Sequence, residues 1–307
     1  MTAARQIAEG YDHNQRLAAL TVAGSVGAGL ADRWSDLELD CYWRQPPTDA
    51  DRRTPIERAG AVLEDFWDYD ATEQEWSENY RLGQLAVTVS NFTVATIEQF
   101  LDMVVDTADT DPVRHMRLAA IRRCHVVRGA ELIDAWRVRA DRYPDPLVTA
   151  MVEQSLTPTV LTGWSARDAF VSRGDHVAIH ALLCRIEHAV LGSMLALNRA
   201  YRPHLLAKWQ QHLLAGFDLA PDGLAQRLED LWHGPYPQAL MSVETLLAET
   251  LQLAAQYSSA DLGAFREALA ERRRPAEALR PNPPAALVDH ALGLRNEVLA
   301  RRRRSSG

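Results

Sequence analysis

Short β-type runs crowd the first 130 or so residues of this chain, and from Glu131 onward the pattern changes to long amphipathic helices. That asymmetry constrains the fold most. Strands and helices segregated along a chain make an α+β protein, here a small mixed sheet followed by an all-helical bundle. In the first part Ala18–Ala23 and Leu37–Trp43 read as half-buried strands, the first ending in Gly24-Ser25 and the second beginning with alternating apolar and polar residues. Arg44–Thr54 is a polar loop, after which a helix is expected from Pro55 through PIERAGAVLEDFW, since proline is tolerated in a first turn. Leu85–Val89 reads as another strand, a helix follows over Val94–Val105, and Cys124–Val127 adds a short strand. In the second part Val177–Ala200 and Gln238–Gln256 are helical patterns. Tyr143-Pro144-Asp145-Pro146 is a hinge, and Arg280-Pro281-Asn282-Pro283-Pro284 is a second break before a last helix at Ala285–Arg301. A chain of 307 residues can supply two compact domains, drawn here at 1–142 and 143–307.

Net charge is −8, which argues against a general nucleic-acid binder. The basic clusters Arg272–Arg274 and Arg301–Arg304 read as solvated surface or a frayed terminus. Of the 33 basic residues, Lys208 is the only lysine. Cys41, Cys124 and Cys184 are far apart and form no Cys-x-x-Cys pair, so they read as buried free thiols. No apolar run is expected to reach the roughly 18 residues of a membrane span, and the N-terminus lacks a signal-peptide layout, so a cytoplasmic location is expected. His176, His180, Cys184 and His188 recur every fourth residue and would stack on one helix face, where packing or pocket lining competes with zinc binding. Trp34, Trp43, Trp67 and Trp76 are expected mostly in the core, with one free to stack on a base or sugar.

Chemistry concentrates between Gly24 and Asp40. A Gly24-Ser25 pair at a strand end, entering a glycine-bearing turn, offers backbone N–H groups and a hydroxyl to an anion, and polyphosphate is the natural guest. After ten intervening residues the chain re-enters a strand as Asp36-Leu37-Glu38, and a period of two puts both carboxylates on one face, about 7 Å apart at Cα. Two such acids can converge on a hard divalent ion that bridges to substrate phosphates. Asp40 lies on the same face one step further along, as an outer or exposed acid or a third ligand.

Gly24-Ser25, the ten-residue gap and Asp36-Leu37-Glu38 together resemble the signature of the nucleotidyltransferase superfamily that includes DNA polymerase beta and the antibiotic nucleotidyltransferases. The likeness is greatest to the kanamycin nucleotidyltransferases, which also carry a cysteine soon after Asp-x-Glu, as Cys41 does here. Gly83–Phe92 and the helix Ile97–Val105 look like the third core strand and following helix of that family. Asn198-Arg199-Ala200-Tyr201-Arg202-Pro203 and Lys208-Trp209 are similar to the helical half of related uncharacterised bacterial members. The resemblance implies Mg²⁺ on Asp36 and Glu38, and an NTP, ATP by preference, held by Gly24, Ser25, Ser35 and Lys208. It implies transfer of a nucleoside monophosphate to a hydroxyl of a small, aminoglycoside-like molecule or other natural product, with release of pyrophosphate. A cationic acceptor suits an acidic chain.

The chain departs from the pattern in one place. Many members carry a third carboxylate on the strand equivalent to Leu85–Ser90, and here the face of Gln84, Ala86, Thr88 and Ser90 has no acid. The general base must then come from elsewhere. Glu187, interrupting an apolar helical run, is the first choice, its alternative being a surface or paired glutamate near Arg185 or His188. Glu75 and Glu78 either greet a cationic acceptor or sit in a solvated loop. Two other targets remain open: nucleotide placed on a protein or tRNA, and a regulator that binds nucleotide without catalysis. A homodimer is compatible with the resemblance.

Overall fold

The computed structural model describes residues 2–205 and 208–273. Its strands are β1 (Leu17–Val22), β2 (Leu37–Trp43), β3 (Val62–Asp70), β4 (Glu75–Leu82), β5 (Leu85–Thr93) and β6 (His125–Arg128). They form a six-stranded sheet in the order β3-β4-β5-β2-β1-β6. The sheet is mixed: β2 pairs in parallel with β5 and antiparallel with β1, and the remaining pairs are antiparallel. Helix α1 (Thr2–Glu9) precedes the strands, and between them lie α2 (Gly24–Gly27), α3 (Asp49–Arg58), α4 (Val94–Leu101) and α5 (Pro112–Arg123). Helices then occupy the rest: α6 (Ala130–Ala140), α7 (Asp145–Ser155), α8 (Arg167–Arg173), α9 (His176–Leu197), α10 (Gln210–Leu214), α11 (Leu224–Asp230), α12 (Tyr236–Tyr257) and α13 (Gly263–Ala270). The α+β class read from the sequence is the observed one.

Strand periodicity divides the sheet into two faces. Leu37, Leu39, Cys41 and Trp43 of β2 pack with Val87 and Val89 against Ala4 and Ile7 of α1 and Ile56 of α3. The opposite face carries Tyr42 and Phe92 into a second cluster that runs on through α4 to α13 as far as Phe265. Glu38 and Asp40 share the face of Tyr42, so the acids are turned toward the helical half by the same alternation that buries the tyrosine. Residues Met1–Ala270 form one compact unit, and the helical core takes in side chains of the sheet across position 142. Glu271–Gly307 make a second unit, of which residues 271–273 are described. The break at Arg280–Pro284, the helix at Ala285–Arg301, and Arg274 and Arg301–Arg304 of the basic clusters lie outside the described residues.

Several local expectations are corrected. Helix α3 starts at Asp49, six residues before Pro55, because Thr48 and Asp51 form a capping box in which each side chain takes the other's backbone N–H. It ends at Arg58, two residues before Gly60, whose φ of +87° only glycine adopts easily. Val62–Trp67, expected to continue a helix, is therefore strand β3, paired with β4 in a hairpin. Cys184 is exposed, unlike Cys41 and Cys124. Helix α9 is long and apolar enough to cross a membrane by length and composition, contrary to expectation. It is a core helix, with Ala189–Leu197 all buried against neighbours that include α7 and α12. Pro144 does separate α6 from α7, which it precedes as N-cap, and Pro146 lies in the first turn of α7.

Candidate active site

The turn after β1 is shaped by close approach. Gly24 has φ +57°, and a Cβ there would sit 2.4 Å from the Cδ of Glu38, so the bare Cα makes room for the carboxylate. Gly27 likewise lets α2 lie on β1, since a Cβ would meet the Val22 carbonyl oxygen at 2.2 Å. The Ala23 N–H donates to the Glu38 carbonyl at 2.9 Å and ties the turn to β2. Ser25 does not cap α2: the N-cap is Ala23, and the Ser25 hydroxyl has no hydrogen-bond partner among the described residues.

These groups open into a cleft of about 840 Å³. Gly24, Ser25, Ser35, Asp36, Glu38 and Lys208 all line it, together with Asp40, Glu75 and Arg117. Lys208, on the segment before α10, thus faces the acids of β2 from the helical half. The Ser35 hydroxyl is already engaged, donating to Asp32 Oδ1 at 3.1 Å and accepting the Asp32 N–H at 3.0 Å. Trp34 is 80% exposed and lines the cleft with Trp209, whereas Trp43 is fully buried.

Burial, then the charges of Asp36 and Asp40, raise the pKa of Glu38 above the usual carboxylate range, while Lys208 and Arg117 oppose them. Burial also raises Asp40, against the pull of Arg117 and a 3.4 Å hydrogen bond from the Tyr42 hydroxyl. The lining itself sets the carboxylates of Asp32, Asp36, Glu38, Asp40 and Glu75 against Arg117, Arg123 and Lys208. That is the donor chemistry a divalent cation fits, with oxygen ligands and excess charge to neutralise. Among the described residues no group of three or more His, Cys, Asp or Glu side chains is placed to hold a metal ion alone. Asp36 and Glu38, which both line the cleft, are the residues that could hold such an ion.

No acid reaches the cleft from β5, but one does from the neighbouring strand. Glu75 opens β4, next to the end of β5, where Trp76 pairs with Asn91 and Ser77 with Ser90. Its carboxylate lines the cleft and accepts from Arg117 at 2.8 Å. Burial outweighs that pairing and brings the Glu75 pKa up to about 7. Glu78, three residues on, faces the other side, fully buried with Arg52 at 2.7 Å and with Asn91 at 3.0 Å. Glu187 is not among the cleft residues: it lies half-buried on α9, accepting from Gln210 at 3.1 Å. Its pKa is raised by burial, with Gln210 and His188 opposing. His176 and His180 pack on Tyr236, whose hydroxyl lies 3.2 Å from His180 Nε2. The four-residue His/Cys ladder on α9 is thus spent partly on aromatic packing.

Two comparisons bear on the chain. Residues 112–210 match the family DUF4037, described as a domain of unknown function. Among solved structures, a nucleotidyltransferase-like protein from Exiguobacterium sibiricum is similar at 16% identity, covering 99% of this chain and 91% of that one with a TM-score of 0.34. No curated protein matches.

Proposed function

We propose that the chain transfers a nucleoside monophosphate from an NTP, ATP by preference, to a hydroxyl of a small cationic molecule and releases pyrophosphate. The observation that carries this reading is the convergence of Gly24, Ser25, Asp36, Glu38 and Lys208, from the sheet-bearing and the helical parts of the chain, on one cleft. Asp36 and Glu38 would hold Mg²⁺, which when bound supplies charge neutralisation at the phosphates. The Ser25 hydroxyl and Lys208 ammonium orient the triphosphate, and the exposed Trp34 and Trp209 rings offer faces for a base or sugar. Glu75 takes the proton from the attacking acceptor hydroxyl, and Arg117 holds its carboxylate in place. The cleft lining includes Asp32, Asp36, Glu38, Asp40 and Glu75 against Arg117, Arg123 and Lys208, a balance that favours a cationic, aminoglycoside-like acceptor.

The test is pyrophosphate release from ATP and Mg²⁺ with a panel of amino-sugar and other hydroxyl acceptors. Asp36→Asn is expected to lower turnover by at least about a thousandfold while far-UV circular dichroism stays unchanged. Full turnover by that variant would contradict the assignment. Labelling of a protein or tRNA in place of every small acceptor would redirect the substrate and keep the chemistry.

A further inference from the structure

A second cavity of about 550 Å³ opens between α5, α7 and α9, and none of the residues that line it also lines the cleft. Its ionisable lining is Arg185, Arg202, His115 and His188, with no carboxylate. In a chain of net charge −8 such a lining is the reverse of the average surface. Arg202 is half-buried and makes no hydrogen bond or ion pair among the described residues. A guanidinium withdrawn from water without a counter-ion is costly, and the cost falls when an anion enters.

The geometry around Arg202 is that of a prepared donor pair. Gly192 of α9 is bare where two groups approach: a Cβ there would lie 2.5 Å from the Ser155 Oγ and 3.3 Å from an Nη of Arg202. The Ser155 hydroxyl has no hydrogen-bond partner among the described residues either. Arg185 spends two of its nitrogens on the carbonyls of Val160 and Thr162, at 3.3 and 2.6 Å, which fixes its guanidinium at the rim. Met151, Val160 and Leu205 give the cavity an apolar wall, beside the neutral polar side chains of Thr110, Gln154 and Thr159. Along the chain, Pro203 and His204 line the cleft while Arg202 and Leu205 line this cavity.

We infer that this cavity binds a small organic anion through a carboxylate or phosphate group, anchored by the Arg202 guanidinium and the Ser155 hydroxyl, with its hydrocarbon part against the apolar wall. The planar fork of arginine suits either oxyanion. The inference does not depend on the nucleotide reading of the cleft.

Differential scanning fluorimetry of the full chain with citrate and with inorganic phosphate tests it, the two probes separating the carboxylate from the phosphate class. The wild type is expected to be stabilised by at least one probe, and Asp36→Asn and Lys208→Ala to respond as the wild type does. Arg202→Gln should bind at least about tenfold more weakly, the loss of one charge-assisted hydrogen bond, with Arg202→Lys in between. Should Arg202→Gln fail to fold, Ser155→Asp, which puts a negative charge beside Arg202, is expected to abolish the response. No stabilisation of the wild type by either probe, an undiminished response in the folded Arg202→Gln or Ser155→Asp variant, or a response lost with Lys208 would overturn the inference.

Discussion

Glu75 is the residue whose protonation state would set the pH dependence of catalysis. Burial holds its pKa at about 7, so as a base it is disabled below that pH. We expect kcat/KM to fall about tenfold per pH unit on the acid side of pH 7 and to level off above it. Glu75→Gln should lower kcat by about 10²- to 10⁴-fold and flatten that limb, which a pH profile of both proteins would check. Gly24→Ala tests the turn: its methyl would have to displace the Glu38 carboxylate from 2.4 Å, so activity should be lost even where the fold survives. Asp36 and Glu38 were legible because a period of two needs only the strand itself to place both on one face. Glu75 was not, since its position depends on the pairing of Ser77 with Ser90 on a neighbouring strand. The spacing of three between Glu75 and Glu78 puts them on opposite faces, one in the cleft and the other in an ion pair, a distinction invisible until the segment is known to be a strand.

That ion pair belongs to the element scale, because it clamps α3 to the hairpin of β3 and β4. The Arg52 guanidinium bonds Glu78 and the carbonyls of Trp67 and Ser77, and lies 3.9 Å over the Phe66 ring. Arg52→Ala leaves a buried carboxylate without its partner and should destabilise the protein by about 3–5 kcal/mol, measured by urea denaturation. Thr48→Ala, which removes only a helix cap, should cost about 1 kcal/mol in the same assay. The hairpin was hidden from sequence reading by its composition. Val62–Asp70 carries acids at Glu64, Asp65, Asp68 and Asp70, residues poor in strand propensity, and edge position explains their tolerance. Helix α3 was hidden for the opposite reason, its capping signal at Thr48 lying inside a stretch that reads as polar loop. The apolar patterns of α9 and α12 were long enough to declare themselves, and their observed ends lie within three residues of the expected ones.

Across the whole molecule, the sheet and the helices up to Ala270 are bound by shared side chains such as Tyr42 and Phe92, so the break near Tyr143 is not a seam in the packing. Phe92→Ala should cost about 3–5 kcal/mol and lower protection from proteolysis in α9 as much as in the sheet, with near- and far-UV signals lost together. The short stretch from Arg202 to Leu205 is a partition with a room on either side, its two outer side chains serving one and its two inner side chains the other. Equilibrium thermodynamics then demands symmetry: any factor by which an oxyanion on one side alters nucleotide affinity must reappear, unchanged, when nucleotide is added first and the oxyanion is titrated second.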